Sequence, residues 1–228
     1  MATTSYEDLF PDVIPFAPDC PDSLIERNIR AAVIEFCEKT GIYQAELEPL
    51  TTVANIYEYD LEPPSGTVVH KLMTTVHQGD SLEPLSPELL DQRLPKWRDI
   101  STAGTPQYVV KQGQALVWLV PIPSATAVSS TIIRAQLKPT ATSTGCDSDI
   151  MAEYRDTLIN GAVFRLLRTP GQPWTDFTGA QIYGSLFSEG VVNADRKARH
   201  ADEGVARKVN YGGITRAWKT RRRYGMGG

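Results

Sequence analysis

"PDCPDSLIERNIRAAVIEFCEKTG" (Pro18–Gly41) switches the chain from a Pro/Asp-rich lead-in to a clear helical period. Leu24, Ile25, Ile29, Ala32, Val33, Phe36 and Cys37 recur at spacings of three and four, the apolar stripe of one helix face. Glu26, Arg27, Arg30, Glu35 and Glu38 take the opposite face. Asp22 or Ser23 is expected to cap the start. Gly41 stands where a left-handed residue would end the helix. A helix with one apolar stripe needs something to cover it, so the rest of the chain must supply the other half of a core.

Beyond Gly41 the period changes from about 3.6 to 2. "TTVANIYEYDL" places Val53, Tyr57, Tyr59 and Leu61 on alternate positions, as one face of a half-buried strand. "PPSG" (Pro63–Gly66) breaks it, and "TVVHKLMTTV" resumes as a β-branched run. "SPELLDQRLPKW" reads as a short helix with Ser86 as cap and Pro87 at its first position. "PQYVVKQGQALVWLVPIP" reads as a hairpin turning near Gln112-Gly113. "TIIRAQLKP" alternates Thr131, Ile133, Ala135 and Leu137 and stops at Pro139.

The helical period then returns. "SDIMAEYRDTLINGAVFRLLRTPG" is expected to run as one helix from a Ser148/Asp149 cap to Pro170. Gly161 inside it costs about 1 kcal/mol relative to Ala, and close approach of a neighbouring helix would explain it. A further helix follows, with Ala180, Tyr183, Phe187 and Val191 on one face. The fold class is therefore α+β: a helical bundle of the N- and C-terminal helices, an inserted antiparallel β-sheet or sandwich, and an extended C-terminal arm. The expected divisions are a lead-in and first helix (1–44), a β domain (45–139), a helix pair (140–200) and a basic arm (201–228).

Charge divides the chain as sharply as periodicity does. The net charge of −4 conceals ten Lys/Arg against three acids from Asn193 onward, a sum of +7. The preceding residues hold thirteen cations and twenty-four acids, a sum of −11. No apolar run approaches the ~20 residues of a membrane helix, so no membrane partner is expected. "MATTSYEDLF" lacks the basic and apolar regions of a secretory signal. Cys20, Cys37 and Cys146 are odd in number and widely spaced, which forms neither a disulfide framework nor a CxxC pattern. Synthesis in a reducing cytoplasm is the expectation.

Catalytic chemistry finds little support. His70, His77 and His200 fit no metal-ligand spacing, and GxSxG, GxGxxG and Walker loops are absent. His70 and His77 have opposite parity and should face different sides of a strand, each as a hydrogen-bonded strand histidine. Glu58, Asp60 and Glu62 alternate with the tyrosines and read as a solvated strand face. Trp174 in "RTPGQPW" is expected to plug a corner between two helices rather than to stack a base or sugar. No enzyme activity, cofactor or metal is expected. "YGGITRAWKTRRRYGMGG" (Tyr211–Gly228) remains, with five cations and no acid. Read alone, it suits nucleic acid or the carboxylates of a protein partner.

Several stretches together carry a resemblance: "CPDSLIERNIRAAVIEFCEKTG", "SLEPLSPELLDQRLPKW", "GTPQYVV", "LVWLVPIPSAT" and "YRDTLINGAVFRLLRTPGQPW". In that order, from about Cys20 to Trp174, the chain resembles the head-to-tail adaptor (connector) proteins of tailed bacteriophages, including the tail tubular protein A-like adaptors. The resemblance implies a structural virion protein at the head–tail interface. It implies a homo-oligomeric ring, usually of twelve copies, that joins the portal protein to a tail or nozzle protein. Genomic DNA would pass through its channel on ejection without specific binding. The C-terminal arm would dock on the portal through Tyr211, Gly212, Gly213, Ile214, Arg216, Trp218, Lys219, Arg221, Arg222, Arg223 and Tyr224. A nucleic-acid-binding module using the basic tail and a tail-associated cell-wall hydrolase are the alternative readings.

Overall fold

The computed structural model describes residues 2–202. Contacts separate Met1–Ala198, one compact unit, from Arg199–Gly228. β1 (Thr3–Ser5) and a 3-10 turn (Tyr6–Leu9) lead through α1 (Phe10–Val13) and a second 3-10 turn (Ile14–Phe16) to α2 (Asp22–Thr40). The strands β2 (Gln44–Glu46), β3 (Leu50–Thr52), β4 (Glu58–Asp60), β5 (Thr67–His77), β6 (Asp80–Ser81) and β7 (Glu83–Pro84) come after it. Next are α3 (Pro87–Arg93), β8 (Tyr108–Gln112), β9 (Leu116–Val120), β10 (Ala127–Pro139) and β11 (Gly145–Asp147). α4 (Ser148–Glu153), α5 (Arg155–Leu167) and α6 (Phe177–Asp202) complete the described residues. The class is mixed α+β, as the two periods in the sequence require.

α2 forms because its stripe is buried: Ile25, Ile29, Ala32, Val33, Phe36 and Cys37 all leave solvent. Gly41 ends the helix in the left-handed region at φ 58°, donating its N–H to the Cys37 carbonyl at 3.0 Å. The start differs from expectation. Pro21 occupies the cap position without a side-chain bond, and Asp22 lies in the first turn, where its charge suits the positive end of the helix dipole. The polar face is tied down as well. Lys138 of β10 donates to Glu38 at 2.6 Å, Arg165 of α5 pairs with Glu35, and Arg30 donates to the Ser143 carbonyl at 2.6 Å.

Two larger sheets lie between the helical segments. In the first, β10 is central: it pairs antiparallel with β2 and β3 on one side and with β5 on the other, and β6 extends β5. Thr131, Ile133, Ala135 and Leu137 are fully buried, and α2 packs against this strand. Register shifts in β5 leave Met73 and His70 without opposite residues, yet two shifts restore the phase, so Val69, Thr75 and His77 all face inward. The second sheet runs β4-β9-β8-β7, and β7 pairs with β8 in parallel. It is covered on both faces. Val109, Val117 and Leu119 join the main core, whereas Val110 and Val120 meet Leu90 and Trp97 in a smaller cluster. Double burial explains why "ALVWLVPIP" is a continuous apolar run rather than an alternating one. A short β1–β11 pair, with Thr4 opposite Cys146, ties the N-terminus to the entry of α4.

Two expected elements are divided. The strand expected over Thr51–Leu61 becomes the end of β3, a turn at Ala54-Asn55, and β4; Asn55 takes φ 66°. The Tyr59 hydroxyl holds that turn, accepting from the Val53 N–H at 3.1 Å and donating to the Ile56 carbonyl at 2.7 Å. The helix expected from Ser148 is capped instead by Asp147, whose Oδ1 accepts from the N–H groups of Asp149 and Ile150. It breaks at Tyr154, whose ring packs on Phe36 with centroids 5.0 Å apart, before resuming as α5.

α5 is crowded from two sides at Gly161. A Cβ there would lie 2.7 Å from the Phe187 ring and 3.0 Å from Ala32 Cβ. Close approach, the expectation from the sequence, is thus what the glycine permits. Phe164 against Gly184, and Thr157 against Gly190, continue the contact in antiparallel order along α5 and α6. Trp174, in the link from α5 to α6, is buried in the main core.

Candidate functional site

The arm residues inferred from the sequence, Tyr211 to Tyr224, lie outside the described residues. Within the described residues, the surface with the strongest chemical signature is the outer side of α6. Ala180, Phe187, Val191, Ala194 and Ala198 turn inward on this helix. On the other side Ile182 is 58% exposed and Leu186 43% exposed. These two residues are one turn apart and therefore neighbours on the helix surface. Phe177 and Val192 are exposed farther along.

Tyr183 joins the two sides. Its ring meets Phe16 edge-on, with centroids 5.2 Å apart and planes at 66°. Phe16 and Ile14 belong to the N-terminal 3-10 turn and are themselves exposed. An apolar surface therefore runs from that turn over Tyr183 to Leu186 and Ile182, with Gln181, Ser185, Ser188 and Glu189 exposed around it. Contiguous apolar patches with polar rims mark contact surfaces more often than single exposed side chains do. The stripe legible in the sequence, Ala180, Tyr183, Phe187 and Val191, defines the inward face. The signal for the outward face was the extra pair Ile182/Leu186 at i, i+4, lying off the first stripe. A second apolar group, Val53, Ile56 and Val128, is exposed near the β3–β4 turn and the start of β10.

Several titratable groups are held in local hydrogen bonds. His77 is buried, sharing a 2.8 Å hydrogen bond between its Nδ1 and Thr131 Oγ1. Burial holds its pKa below the usual histidine value. The "YEYDLE" alternation holds, with Glu58, Asp60 and Glu62 exposed and Tyr59 and Leu61 buried. Glu58 Oε2 accepts from Trp118 Nε1 at 2.9 Å. Hydrogen bonds from its own backbone N–H and from Ser86 hold Glu88 low, those from Ser101 do the same for Asp99, and the Lys197 ammonium does so for Glu153. Those shifts run opposite to what a general acid needs. Cys20, Cys37 and Cys146 are free thiols, and a hydrogen bond with Cys146, then burial, raises the pKa of Cys37. Among the described residues no group of histidines, cysteines and carboxylates could hold a metal ion. Among the described residues no helix is long and apolar enough to cross a membrane.

What remains is a chain with two buried cores and uncovered apolar surface. No curated protein matches the chain. The family described as SU10 adaptor protein matches residues 4–208, from β1 through the whole of α6. Such a match spans most of the sequence and includes both sheets and every helix described above. The chain belongs to the SU10 adaptor protein family, and is accordingly a structural adaptor component of a phage virion.

Proposed function

We propose that this adaptor joins the portal to the tail or nozzle at the head–tail interface, assembling as a ring whose channel passes the genome. In this reading α2, α5 and α6 build the ring body as a bundle and the β-sheets project from it. Twelve copies is the number implied by the resemblance to head-to-tail connectors. The arm at 201–228 docks on the portal, with Tyr211, Trp218 and Tyr224 as anchors and Arg216 and Arg221 to Arg223 meeting carboxylates.

The observation that carries the assembly part is the uncovered surface of Ile182, Leu186, Tyr183 and Phe16. Neighbouring subunits covering that surface would remove it from water. The charge division supports the rest. A body of −11 suits a channel wall along which DNA slides, because like charge repels phosphate, whereas the +7 segment suits an acidic protein site. The decisive experiment is co-assembly with the cognate portal, imaged by electron microscopy and weighed by native mass spectrometry, for the full chain and for a chain ending at Asn210. The full chain should form portal-bound rings, and the shortened chain should lose the portal. A full chain that stays monomeric beside the portal refutes the ring. A shortened chain that binds equally well refutes the docking arm.

A further inference from the structure

Two of the three free thiols meet in the core. Cys37 lies in the last turn of α2 and Cys146 in β11, and both are buried in the main cluster. α2 also holds the approach to β11. The Arg30 guanidinium donates to the Ser143 carbonyl at 2.6 Å and to the Ala141 carbonyl at 3.2 Å. From that anchor the two segments advance in step. The helix from Arg30 to Cys37 rises about 10 Å and returns to the same face. The extended chain from Ser143 to Cys146 also advances about 10 Å. Cys146 is thereby brought level with Cys37, and the two thiols are hydrogen-bonded to each other.

The pair is enclosed on one side and loosely held on the other. Tyr6 and Tyr43, both buried, stand within electrostatic reach of both sulfurs. Cys20 is remote, because it precedes α2 and the helix rises about 22 Å between Asp22 and Cys37. β11 has three residues and pairs with β1, itself three residues long. Opening so short a pair exposes Cys146 at far less cost than unfolding the core.

We propose that Cys37 and Cys146 form an oxidation site, a dithiol that closes to a disulfide when the virion leaves a reducing cytoplasm and meets peroxide. The Cys146 thiolate attacks one oxygen of hydrogen peroxide, breaking the O–O bond to give a sulfenic acid and hydroxide. The Cys37 thiolate then attacks that sulfur, the S–S bond forms and a second hydroxide leaves. The two thiol protons convert both hydroxides to water, so two thiols are oxidised and one peroxide is reduced. Disulfides persist on virions, whereas cytoplasmic thiols stay reduced. The bond joins positions 109 residues apart and fixes the end of α2 to the strand that leads into α4. Cross-links over long loops constrain the unfolded chain most. The mutual hydrogen bond and burial keep Cys37 a thiol at neutral pH, so the opening of β11 sets the rate.

The test treats the full-length protein with hydrogen peroxide at neutral pH, folded and in concentrated urea, and maps unreduced cysteine peptides by mass spectrometry. In the folded protein the Cys37 and Cys146 peptides should be joined, with loss of two hydrogens. In urea the pair Cys20 and Cys37, 17 residues apart, should be favoured instead by roughly fifteenfold, from loop-closure entropy. The oxidised protein should melt about 5–10 °C above the reduced one, and dithiothreitol should reverse the gain. Cys146→Ser should abolish both the joined peptide and the gain, and Cys20→Ser should leave both in place. The unsubstituted chain decides the outcome even where a variant fails to fold. No joined peptide, sulfinic acid at Cys37 or Cys146 in its place, Cys20–Cys37 as the main folded product, or an unchanged melting temperature would overturn the proposal.

Discussion

Gly161→Ala adds one methyl group at the most crowded point of the helical core, and the structure sets both terms of its effect. Helix propensity favours Ala by about 1 kcal/mol. Packing opposes it, because the new Cβ would stand 2.7 Å from the Phe187 ring and 3.0 Å from Ala32 Cβ. The ring has little room to withdraw: Phe187 is buried and the Arg165 guanidinium sits 5.5 Å from its centroid. Overpacking of this kind costs about 1–3 kcal/mol. The net result is a loss of about 1 kcal/mol. Phe187→Leu removes the obstructing ring edge at its own cost of about 1–2 kcal/mol. In that background Gly161→Ala should become neutral or stabilising, a coupling of at least about 1 kcal/mol. Urea unfolding followed by circular dichroism and tryptophan fluorescence, on both single variants and the double, measures it. Stabilisation of the otherwise unchanged chain by the full propensity gain would refute the reasoning. Additivity within about 0.5 kcal/mol would refute it too.

Three further outcomes are expected. Asp147→Ala should cost about 1 kcal/mol by removing the cap on α4, while Asp147→Asn should retain most of it; thermal or urea unfolding reads the difference. His77 has a folded pKa below its unfolded value near 6.5, so the unfolded chain binds more protons as pH falls. Its contribution is complete above about pH 6.5 and is lost as pH drops through that value and the lower folded one, so His77→Gln should show a smaller stability loss between neutral and mildly acidic buffer. Ile182→Asp with Leu186→Asp should weaken self-association by sedimentation while leaving unfolding of the single chain nearly unchanged, since both side chains are exposed.

Much of the fold was legible where one period dominates. The α2 stripe, the Ser86–Pro87 helix start, the hairpin over β8 and β9 and the β10 alternation all follow from local spacing and local steric rules. The misread boundaries share a cause. Tyr59 gathers the Val53 and Ile56 backbone into a turn, and Tyr154 stops α4 while packing on Phe36, so a tertiary contact overrides a locally adequate pattern in both. The parallel β7–β8 pair could not be seen, because two-residue strands carry no periodicity.

The candidate surfaces were harder to read for a related reason. Exposure is a property of what covers a residue, and the extra pair Ile182/Leu186 does not say in the sequence whether its face will be covered. The sequence by itself determined the helical and strand periods, the charge division and the order of elements that marks the adaptor family, because each depends on neighbours along the chain. The tertiary structure alone decided which apolar face closes on the core and which stays open, because that depends on segments brought together from opposite ends of the chain.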